Sequence, residues 1–293
     1  MNSVLKRPAV FALFLLPAVL FYVVFMIYPI GEAIYDGFTK WNGVSEKNFI
    51  GLDNYIRLFQ DSLFWDSLLR NFWFIVFAIV IQLPIIVFVA LLISKVGRRF
   101  QSFYRTAVFT PVILSTAIVG ILFLFIYAPD VGLLNNFLKA VGLDSWTHYW
   151  MSDPNVNFLM ILIANAWQWD GFYIIIVLAA ILNIPKELDE SAEMDGANIF
   201  QRTAYITLPL IRPILIVVLL LSVAGSMKAL DAVLVMTNGG PFHSTEVMAT
   251  YMIKVGFQQF EYGYGSAIAV MIFLFTLIVS MLVQLLNRKD VEY

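Results

Sequence analysis

The residues best suited to bind a small molecule lie together in one apolar run near the middle of the chain. They combine hydrogen-bonding groups with aromatic rings and are Asn165, Gln168, Trp169, Asp170, Phe172 and Tyr173. Asn and Gln supply donors and acceptors, Asp supplies acceptors, and the rings supply flat faces. A sugar uses both kinds of contact, because its hydroxyls form hydrogen bonds and its C–H face stacks on rings. The alternative is that the polar members bond this segment to a neighbouring helix.

A second polar group lies in the next apolar run and contains Gly225, Ser226, Lys228 and Asp231. Lys228 and Asp231 are three residues apart, so on one continuous helix they would pair along one face. Lys228 could instead pair with Asp170. The sequence therefore leaves two alternatives open, substrate contact by Ser226 or Lys228 and a structural ion pair.

A charged segment, Pro185–Pro213, separates these two apolar runs. Its acidic residues are concentrated near its start and are Glu187, Asp189, Glu190, Glu193 and Asp195. Pro185 suits the first turn of a helix, where the acids would lie near the positive end of the helix dipole. Gly196 can take the left-handed conformation that ends a helix. The pattern predicts a helix, a turn and a second short segment that runs to Leu208 and Pro209, at a membrane surface.

The composition is that of an integral membrane protein. Of 293 residues, 61% are hydrophobic and 13% are charged, whereas soluble domains carry about 25% charged residues. The net charge of −2 gives no indication of nucleic-acid binding. The absence of cysteine excludes disulfides, cysteine-ligated zinc and thiol catalysis within the chain. His148 and His243 are far apart in sequence, and we expect both to be loop residues rather than metal ligands.

The apolar runs predict an all-α membrane protein with six spans in a single domain covering residues 1–293. A span needs about 20 apolar residues, and the predicted spans cover residues 9–30, 72–94, 106–128, 158–182, 213–236 and 266–286. The first run is too long for a signal peptide, contains Pro17 and lacks a small-residue cleavage site after it. We therefore expect it to be retained as a membrane anchor.

The distribution of Lys and Arg predicts which loops face the cytoplasm. The clearest loop follows the second span and contains Lys95, Arg98, Arg99 and Arg105 with no acid among them. Lys6 and Arg7 at one end, Arg288 and Lys289 at the other, and the cations of Pro185–Pro213 fall on the same side. We expect both termini and the charged segment to be cytoplasmic.

The longest external segment covers residues 31–71. Apolar residues recur there at roughly helical spacing and are Tyr55, Leu58, Phe59, Leu63, Phe64 and Leu68. This pattern is typical of an amphipathic helix on the outer membrane surface, or of a helix that packs on its own loops. A short external helix is also predicted after Pro129, and a turn at Gly239–Pro241.

The charged segment contains a spaced pattern that is typical of one transporter family. Glu190, Ser191 and Ala192 are followed after three residues by Gly196, and after nine more by Ile206-Thr207-Leu208-Pro209. This resembles the EAA signature (E-A-A, three residues, G, nine residues, I-x-L-P) of the membrane subunits of binding-protein-dependent ABC importers. The only departure is Ser191 in place of the first alanine, which exchanges one small residue for another.

Further stretches are similar to the carbohydrate-uptake branch, which includes the larger maltose permease and the glycerol-3-phosphate permease. They are GLDNYIRLF, FWDSLLRN, FYRTAVFTPVILS, YAPDVGLLN, NAWQWDGFYIIIVLAAILNIPKEL, TNGGPFHST and YGYGSAIAV. The resemblance extends from about residue 8 to residue 286. It implies a type I importer fold of six helices in a bacterial cytoplasmic membrane. It also implies partners: a second homologous permease, two ATPase subunits and an extracytoplasmic sugar-binding protein.

The resemblance also implies positions for sugar contacts, on the span before the signature and the span after it. These positions are Asn165, Trp169 and Phe172, then Gly225, Ser226 and Ala229. Asn165 keeps the residue type of the maltose relative, whereas Trp169 replaces a glycine and Ser226 and Ala229 replace asparagines. The implied pocket lies in the same place but should accept a different sugar.

The signature implies a docking helix for the ATPase, formed by Glu190, Ser191, Ala192, Asp195, Gly196 and Ala197, with Glu190 as a charged anchor. The sequence has no G-x-x-x-x-G-K-[ST] phosphate loop and no nucleophile-and-base motif. We therefore expect a transport subunit without its own cofactor or catalytic site, with ATP and Mg²⁺ on the partner ATPase. A secondary transporter would show inverted repeats and broken helices, and neither is apparent. For the same machinery, a phosphorylated polyol or charged sugar conjugate is the second substrate hypothesis.

Overall fold

The computed structural model describes residues 8–227 and 229–287, and these residues are mainly helical. The helices in chain order are α1 (Pro8–Tyr22), α2 (Tyr28–Asp36), α3 (Asp53–Gln60), α4 (Ser62–Phe77), α5 (Leu83–Ser94), α6 (Arg98–Ile113), α7 (Thr116–Ile126), α8 (Leu133–Ala140), α9 (Asn157–Leu182), α10 (Lys186–Met194), α11 (Ile199–Arg202), α12 (Leu208–Met227), α13 (Asp231–Met236), α14 (Met248–Ile253) and α15 (Tyr262–Asn287). A 3₁₀ turn covers Asp144–Trp146. Two short strands, β1 (Thr39–Lys40) and β2 (Asn48–Phe49), pair antiparallel with Thr39 opposite Phe49.

Three π-helical turns join helices that would otherwise be interrupted by proline. They are Val23–Ile27, Ala78–Gln82 and Thr203–Thr207, and each is followed at the second position by proline: Pro29, Pro84 and Pro209. Proline lacks an N–H and clashes with the carbonyl four residues earlier. The wider turn accommodates both defects, so the helices continue. The predicted end of the second short segment at Pro209 is therefore wrong, because one long helical segment runs from Ile199 to Met227.

Within the described residues, five helical segments are long and apolar enough to cross a membrane, or six if one bent pair counts as a span. In order, the spans are Phe14–Asp36, Ser62–Ser94, the bent pair α6 and α7, Asn157–Leu182, Ile199–Met227 and Tyr262–Leu285. The fourth span has the largest buried share, 56% against 28% for the second, and the second, third and fifth spans contact it. The number of predicted spans is confirmed.

The third span is not the continuous helix predicted over residues 106–128. Its two helices, α6 and α7, meet at 97°, and Leu114 and Ser115 between them are extended. Pro111 lies inside the last turn of α6, and the Ser115 side chain caps α7 by accepting a hydrogen bond from the Ile118 N–H. The expectation of no broken helix is therefore wrong, because hydropathy is continuous across a break that these local features produce.

The fifth span also ends earlier than residue 236. Its helix stops at Met227, and a separate helix, α13, begins at Asp231. Asn71 stabilises this break, since its Nδ2 donates to the Ser226 carbonyl (2.8 Å) and its Oδ1 accepts from the Met248 N–H (2.9 Å).

Lys228 lies outside the described residues, as do Lys6, Arg7, Arg288 and Lys289. The predicted continuous helix carrying both Lys228 and Asp231 is wrong, because Ala229 and Leu230 are not helical.

The chain divides into two compact units, 1–62 with 252–274 and 63–251 with 275–293. In the first unit the segment that follows the first span folds on itself. Asn54 of α3 is buried and donates hydrogen bonds to the carbonyls of Gly37 (3.0 Å) and Thr39 (2.8 Å), and Leu58 is fully buried. These contacts favour the second of the two alternatives, a helix that packs on its own loops. α3 ends at Gln60 and packs on its own loop, and Leu63, Phe64 and Leu68 belong to the next helix.

The second unit contains several clusters of buried apolar side chains, two of which flank the fourth span. One includes Phe123, Ile161 and Val233, and the other includes Ile86, Val177 and Ile211. The fourth span contributes to both clusters. Its polar residues lie between them, so the site described next is positioned by packed cores on either side.

Candidate functional site: an intramembrane cavity and the signature loop

A cavity of about 320 Å³ lies within the second unit, among the second, fourth and fifth spans and the break between α6 and α7. Ligand pockets commonly measure about 300–1,000 Å³. Of the predicted pathway residues, seven line it: Asn165, Trp169, Phe172, Tyr173, Gly225, Ser226 and Ala229. The two runs singled out in the sequence therefore do face one shared space.

The cavity wall contains both aromatic and polar groups. Trp169 and Phe172 are each 36% exposed and present ring surface. Tyr173 and Ser226 are buried, and the Ser226 hydroxyl donates to the Val223 carbonyl (2.7 Å). Gly225 faces the Tyr173 hydroxyl, which lies 3.9 Å from where a Cβ would stand. The arrangement offers ring faces and hydroxyl groups to the same ligand.

Gln168 is not a lining residue, although the sequence predicted it to be one. It is 1% exposed, and its Nε2 donates to the Leu114 carbonyl (3.0 Å). The last carbonyls of a helix have no intrahelical partner, and such groups need a partner within a membrane. Gln168 therefore stabilises the break in the third span, which is the helix-bonding alternative.

Asp170 also lies behind the cavity wall and does not line it. Its Oδ1 accepts a hydrogen bond from the Nε2 of Gln82 (2.7 Å). Gln82 does line the cavity, and its Oε1 accepts from the Ser222 hydroxyl (3.4 Å). The pairing of Asp170 with Lys228 lies outside the described residues.

Sequence reasoning missed several lining residues, among them Phe74, Phe77, Gln82, Thr116 and Ser222. Gln82 was detectable in principle, because it is an uncharged polar residue inside an otherwise apolar span. Phe74 and Phe77 resemble ordinary lipid-facing or core residues, so the sequence gives no signal for them.

Gly171 brings the third and fourth spans into backbone contact. A Cβ at this position would overlap the Val108 carbonyl and lie 3.2 Å from the Phe109 Cα. Small residues allow membrane helices to approach closely. This contact fixes α6 against α9, beside the break that carries Thr116 into the cavity wall.

The signature loop forms a compact helix–turn–helix. α10 covers Lys186–Met194 with Pro185 at its N-cap, and Gly196 has φ of +82°. The Gly196 N–H bonds the Glu193 carbonyl (3.0 Å) and the Ala197 N–H bonds the Ala192 carbonyl (2.9 Å), the Schellman arrangement. Asn198 and Gln201 then form a reciprocal capping box at the start of α11. The predicted helix, turn and left-handed glycine are confirmed.

One arginine ties the two helices of this loop together. The Arg202 guanidinium pairs with Glu193 (2.6 Å) and Asp189 (3.3 Å) of α10, and its side chain is 13% exposed. Lys95 lies 3.8 Å from Asp189. Arg202 neutralises part of the charge on the acids of α10. Because it also joins α11 to α10, contacts within this chain hold the loop in a fixed shape.

The outer surface of the loop is apolar as well as charged. Met194, Phe200 and Tyr205 are 88%, 82% and 79% exposed. The predicted docking residues Glu190, Ser191, Asp195 and Gly196 are exposed, and Ala192 and Ala197 are partly exposed. Exposed apolar side chains rimmed by charges are typical of a protein-interaction surface.

The described residues contain no group of three or more potential metal ligands. His148 contacts Asp153 (2.5 Å), and His243 contacts Glu246 (2.9 Å). Asp153 has a lowered pKa because it accepts a hydrogen bond from the Asn155 backbone N–H and a second from His148. Both histidines therefore lie in loops with carboxylate partners.

Comparison with known proteins agrees with this geometry. Residues 63–289 match the family described as "Binding-protein-dependent transport system inner membrane component". The chain is 36% identical to the probable ABC transporter permease protein YurN of Bacillus subtilis, covering 92% of this chain and 93% of YurN. It is 34% identical to the diacetylchitobiose uptake system permease protein NgcF of Streptomyces coelicolor, covering 96% and 83%.

Solved structures match over nearly the whole chain. One is a bacterial ABC transporter involved in the import of the acidic polysaccharide alginate, with a TM-score of 0.86, 25% identity and coverage of 98% of both chains. Another is the alginate transporter in complex with an alginate pentasaccharide-bound periplasmic protein, with a TM-score of 0.84, 25% identity and coverage of 97% and 96%. The all-α importer-permease fold is thus confirmed, and the chain belongs to the family of binding-protein-dependent ABC importer permeases, the multi-pass membrane subunits of these systems.

Proposed function

We propose that this chain forms half of the membrane pathway of an ATP-driven importer that moves a sugar into the cytoplasm. The observation that carries the proposal is the cavity within the spans of an importer permease, where ring faces and hydroxyl groups converge. The names of NgcF and of the alginate transporter support a saccharide substrate. Asn165, Trp169, Phe172, Tyr173, Gly225, Ser226 and Ala229 would contact the sugar as it passes.

The expected partners follow from the family and from the absence of an ATP-binding phosphate loop in this sequence. A second homologous permease completes the pathway, and an extracytoplasmic binding protein delivers the sugar, as the periplasmic protein in the alginate complex suggests. Two ATPase subunits bind ATP and Mg²⁺ at the cytoplasmic face, beside the signature loop. Both termini are cytoplasmic in this arrangement, and membrane lipid surrounds the spans.

The signature loop transmits the motion of the ATPase. Helix α10 would insert into a groove of the ATPase, an instance of helix-in-groove recognition, with Glu190 as the charged anchor. The exposed Met194 and Phe200 would be buried in that contact. Closure of the ATPase pair then moves the loop and switches the pathway between its two orientations. The ties from Arg202 to Asp189 and Glu193 support this role, because a loop of fixed shape moves as one body.

An uncharged sugar fits the cavity better than a phosphorylated polyol. Among the described lining residues, Asp231 carries a charge and none carries a positive charge. A phosphate group within a membrane would require a cationic partner. The phosphorylated polyol therefore remains the second candidate, tested in the same assay.

The test is co-purification of the chain from its host, followed by ATPase assays in nanodiscs with the co-encoded binding protein and a sugar panel. We expect a second permease and an ATPase in the complex, and stimulation by one sugar-loaded binding protein. A chain that purifies alone and moves sugar down an ion gradient would contradict the proposal.

A further inference from the structure

Gln82 is a polar residue of the second span that lines the cavity. It is the last residue of the π turn Ala78–Gln82 and is followed by Leu83 and Pro84. Only 7% of its surface is exposed, yet it lines the cavity. A π turn inside a membrane helix frequently marks a functional site.

The hydrogen bonds of Gln82 fix the orientation of its amide. The Nε2 donates to the Asp170 Oδ1 at 2.7 Å. The amide NH₂ therefore faces Asp170 on the fourth span. The Oε1 faces Ser222 on the fifth span, whose hydroxyl lies 3.4 Å away, and both residues line the cavity.

This arrangement places a carbonyl oxygen and a hydroxyl side by side at the end of the cavity nearer the signature loop. Tyr173 lines the same cavity. The bond between Ser222 and Gln82 is long and therefore weak. A sugar hydroxyl, which both donates and accepts, can replace it or insert beside it with little loss.

We propose that Gln82 is a specificity-determining residue of the pathway: Asp170 holds its amide so that the carbonyl oxygen, with Ser222, binds a hydroxyl of an uncharged sugar. The inference rests on the proposed function and extends it to the second span. Asp170 acts as a positioning residue in this arrangement, because it contacts Gln82 and does not line the cavity.

The first experiment separates sugar binding from simple bonding between helices. Trp169 lies in the cavity wall, so its fluorescence reports sugar binding to the assembled complex in nanodiscs without the binding protein, with Trp169→Phe as the blank. The probes are diacetylchitobiose as the uncharged sugar and alginate pentasaccharide as the acidic one. We expect Gln82→Leu to weaken diacetylchitobiose binding by about tenfold, the effect of about 1.4 kcal/mol.

Gln101→Leu is the matched control. Gln101 also makes two side-chain hydrogen bonds, to the Ile93 carbonyl and from Arg105, both at 3.2 Å, but lies outside the cavity. It should change thermal stability without changing the affinity for the sugar. Unchanged affinity in Gln82→Leu, while the wild-type complex binds and transports the sugar, would overturn the inference and leave Gln82 as a bond between helices.

The second experiment exchanges the two partners. Gln82→Glu alone sets two carboxylates at hydrogen-bonding distance and should lower the melting temperature. The double variant Gln82→Glu/Asp170→Asn restores an amide–carboxylate pair and should recover the melting temperature. Its affinity for diacetylchitobiose should still differ from wild type, because a carboxylate now faces the sugar.

Recovery of both stability and sugar affinity in the double variant would also overturn the inference, since pairing alone would then suffice. A wild-type complex that takes up neither probe nor any sugar of the panel would overturn the proposed function, and this inference with it. The two failures are thus distinguished by the behaviour of the wild-type complex.

Discussion

The cavity and the signature loop are held in shape by contacts that differ greatly in their separation along the sequence. In the cavity, Gln82 bonds Asp170 across 88 residues of chain, and Gln168 bonds Leu114 across 54. In the loop, Arg202 reaches Glu193 across 9 residues and Asp189 across 13. The cavity therefore exists only when four spans are assembled, whereas the loop can form its shape locally.

This difference predicts two kinds of mutant behaviour. A substitution that breaks a cavity contact removes a bond between spans, so it should lower the stability of the whole chain. A substitution in the loop should leave that stability nearly intact and reduce ATP-dependent uptake instead. The following predictions test this separation, from the largest expected effect to the smallest.

Gly171→Ala should give the largest loss of stability. The added Cβ would overlap the Val108 carbonyl, a backbone atom that cannot move without displacing α6. Overpacking of this kind costs about 3 kcal/mol, measured as a lower melting temperature in detergent. Gly225→Ala is the matched control, since its nearest neighbour would be 3.9 Å away. Equal melting temperatures for the two variants would contradict the close packing of the third and fourth spans.

Gln168→Leu should be the next most damaging change. It leaves the Leu114 carbonyl without the bond from Nε2 at 3.0 Å, and an unsatisfied buried group costs about 1–3 kcal/mol. Thermal unfolding should shift down, and proteolysis near residues 114 and 115 should become faster. A variant that unfolds at the wild-type temperature would mean that the break is held by other contacts.

Gly196→Ala should reduce coupling to the ATPase more than it reduces the stability of the chain. The left-handed backbone at φ +82° costs a non-glycine residue about 1–2 kcal/mol, and this strain is confined to the turn after α10. We expect a small change in melting temperature with a proportionally greater loss of ATP-dependent uptake in proteoliposomes. Gly97→Ala is the control, because its φ is −59° and no atom would lie within 4 Å of its Cβ. Normal uptake and ATPase assembly in Gly196→Ala and in the bulkier Gly196→Leu would argue against docking through this turn.

The smallest effect concerns the loop at Asp153, which is another locally bonded region. The hydrogen bonds from Asn155 and His148 lower the pKa of Asp153 below 3.8. A lowered pKa means that the stabilisation is present above pH 3.8 and is lost as the pH falls through the folded value. Fluorescence of nearby Trp150, whose ring lies 5.6 Å from His148, should follow this acidic transition. Asp153→Asn should abolish the transition without affecting uptake at neutral pH, and a persistent transition would assign it to another group.

The same difference in range explains what the sequence could and could not predict. Gly196 and the small residues of α10 act on neighbours within a few positions, so the turn was predictable from spacing. Asn165 and Ser226, which line the cavity, were found because polar residues in a span are rare. Gln168 was misassigned because its residue type cannot reveal whether it faces a cavity or a distant carbonyl.

The break between α6 and α7 could not be predicted for a related reason. Hydropathy remains high on both sides of Ser115, and the stabilising partner, Gln168, lies in another span. Asn71 has the same role at the end of α12. Pro111 and the Ser115 cap act locally at the first break, but the long-range hydrogen bonds that stabilise both breaks leave no periodic pattern in the sequence.

The π turn at Thr203–Thr207 has a consequence for the rotational phase of the fifth span. An α-helix advances about 100° per residue, and a π turn holds one residue more than the α turn it replaces. Deleting one residue from this turn would convert it into an α turn and keep the phase, so Ser222, Gly225 and Ser226 would still face the cavity. Deleting one residue from the α-helical stretch between Leu208 and Leu221 would instead rotate every later residue by about 100° and turn the three lining residues away from the cavity. The π turn is thus the place where the fifth span can change its length by one residue and keep the same side chains towards the transported molecule.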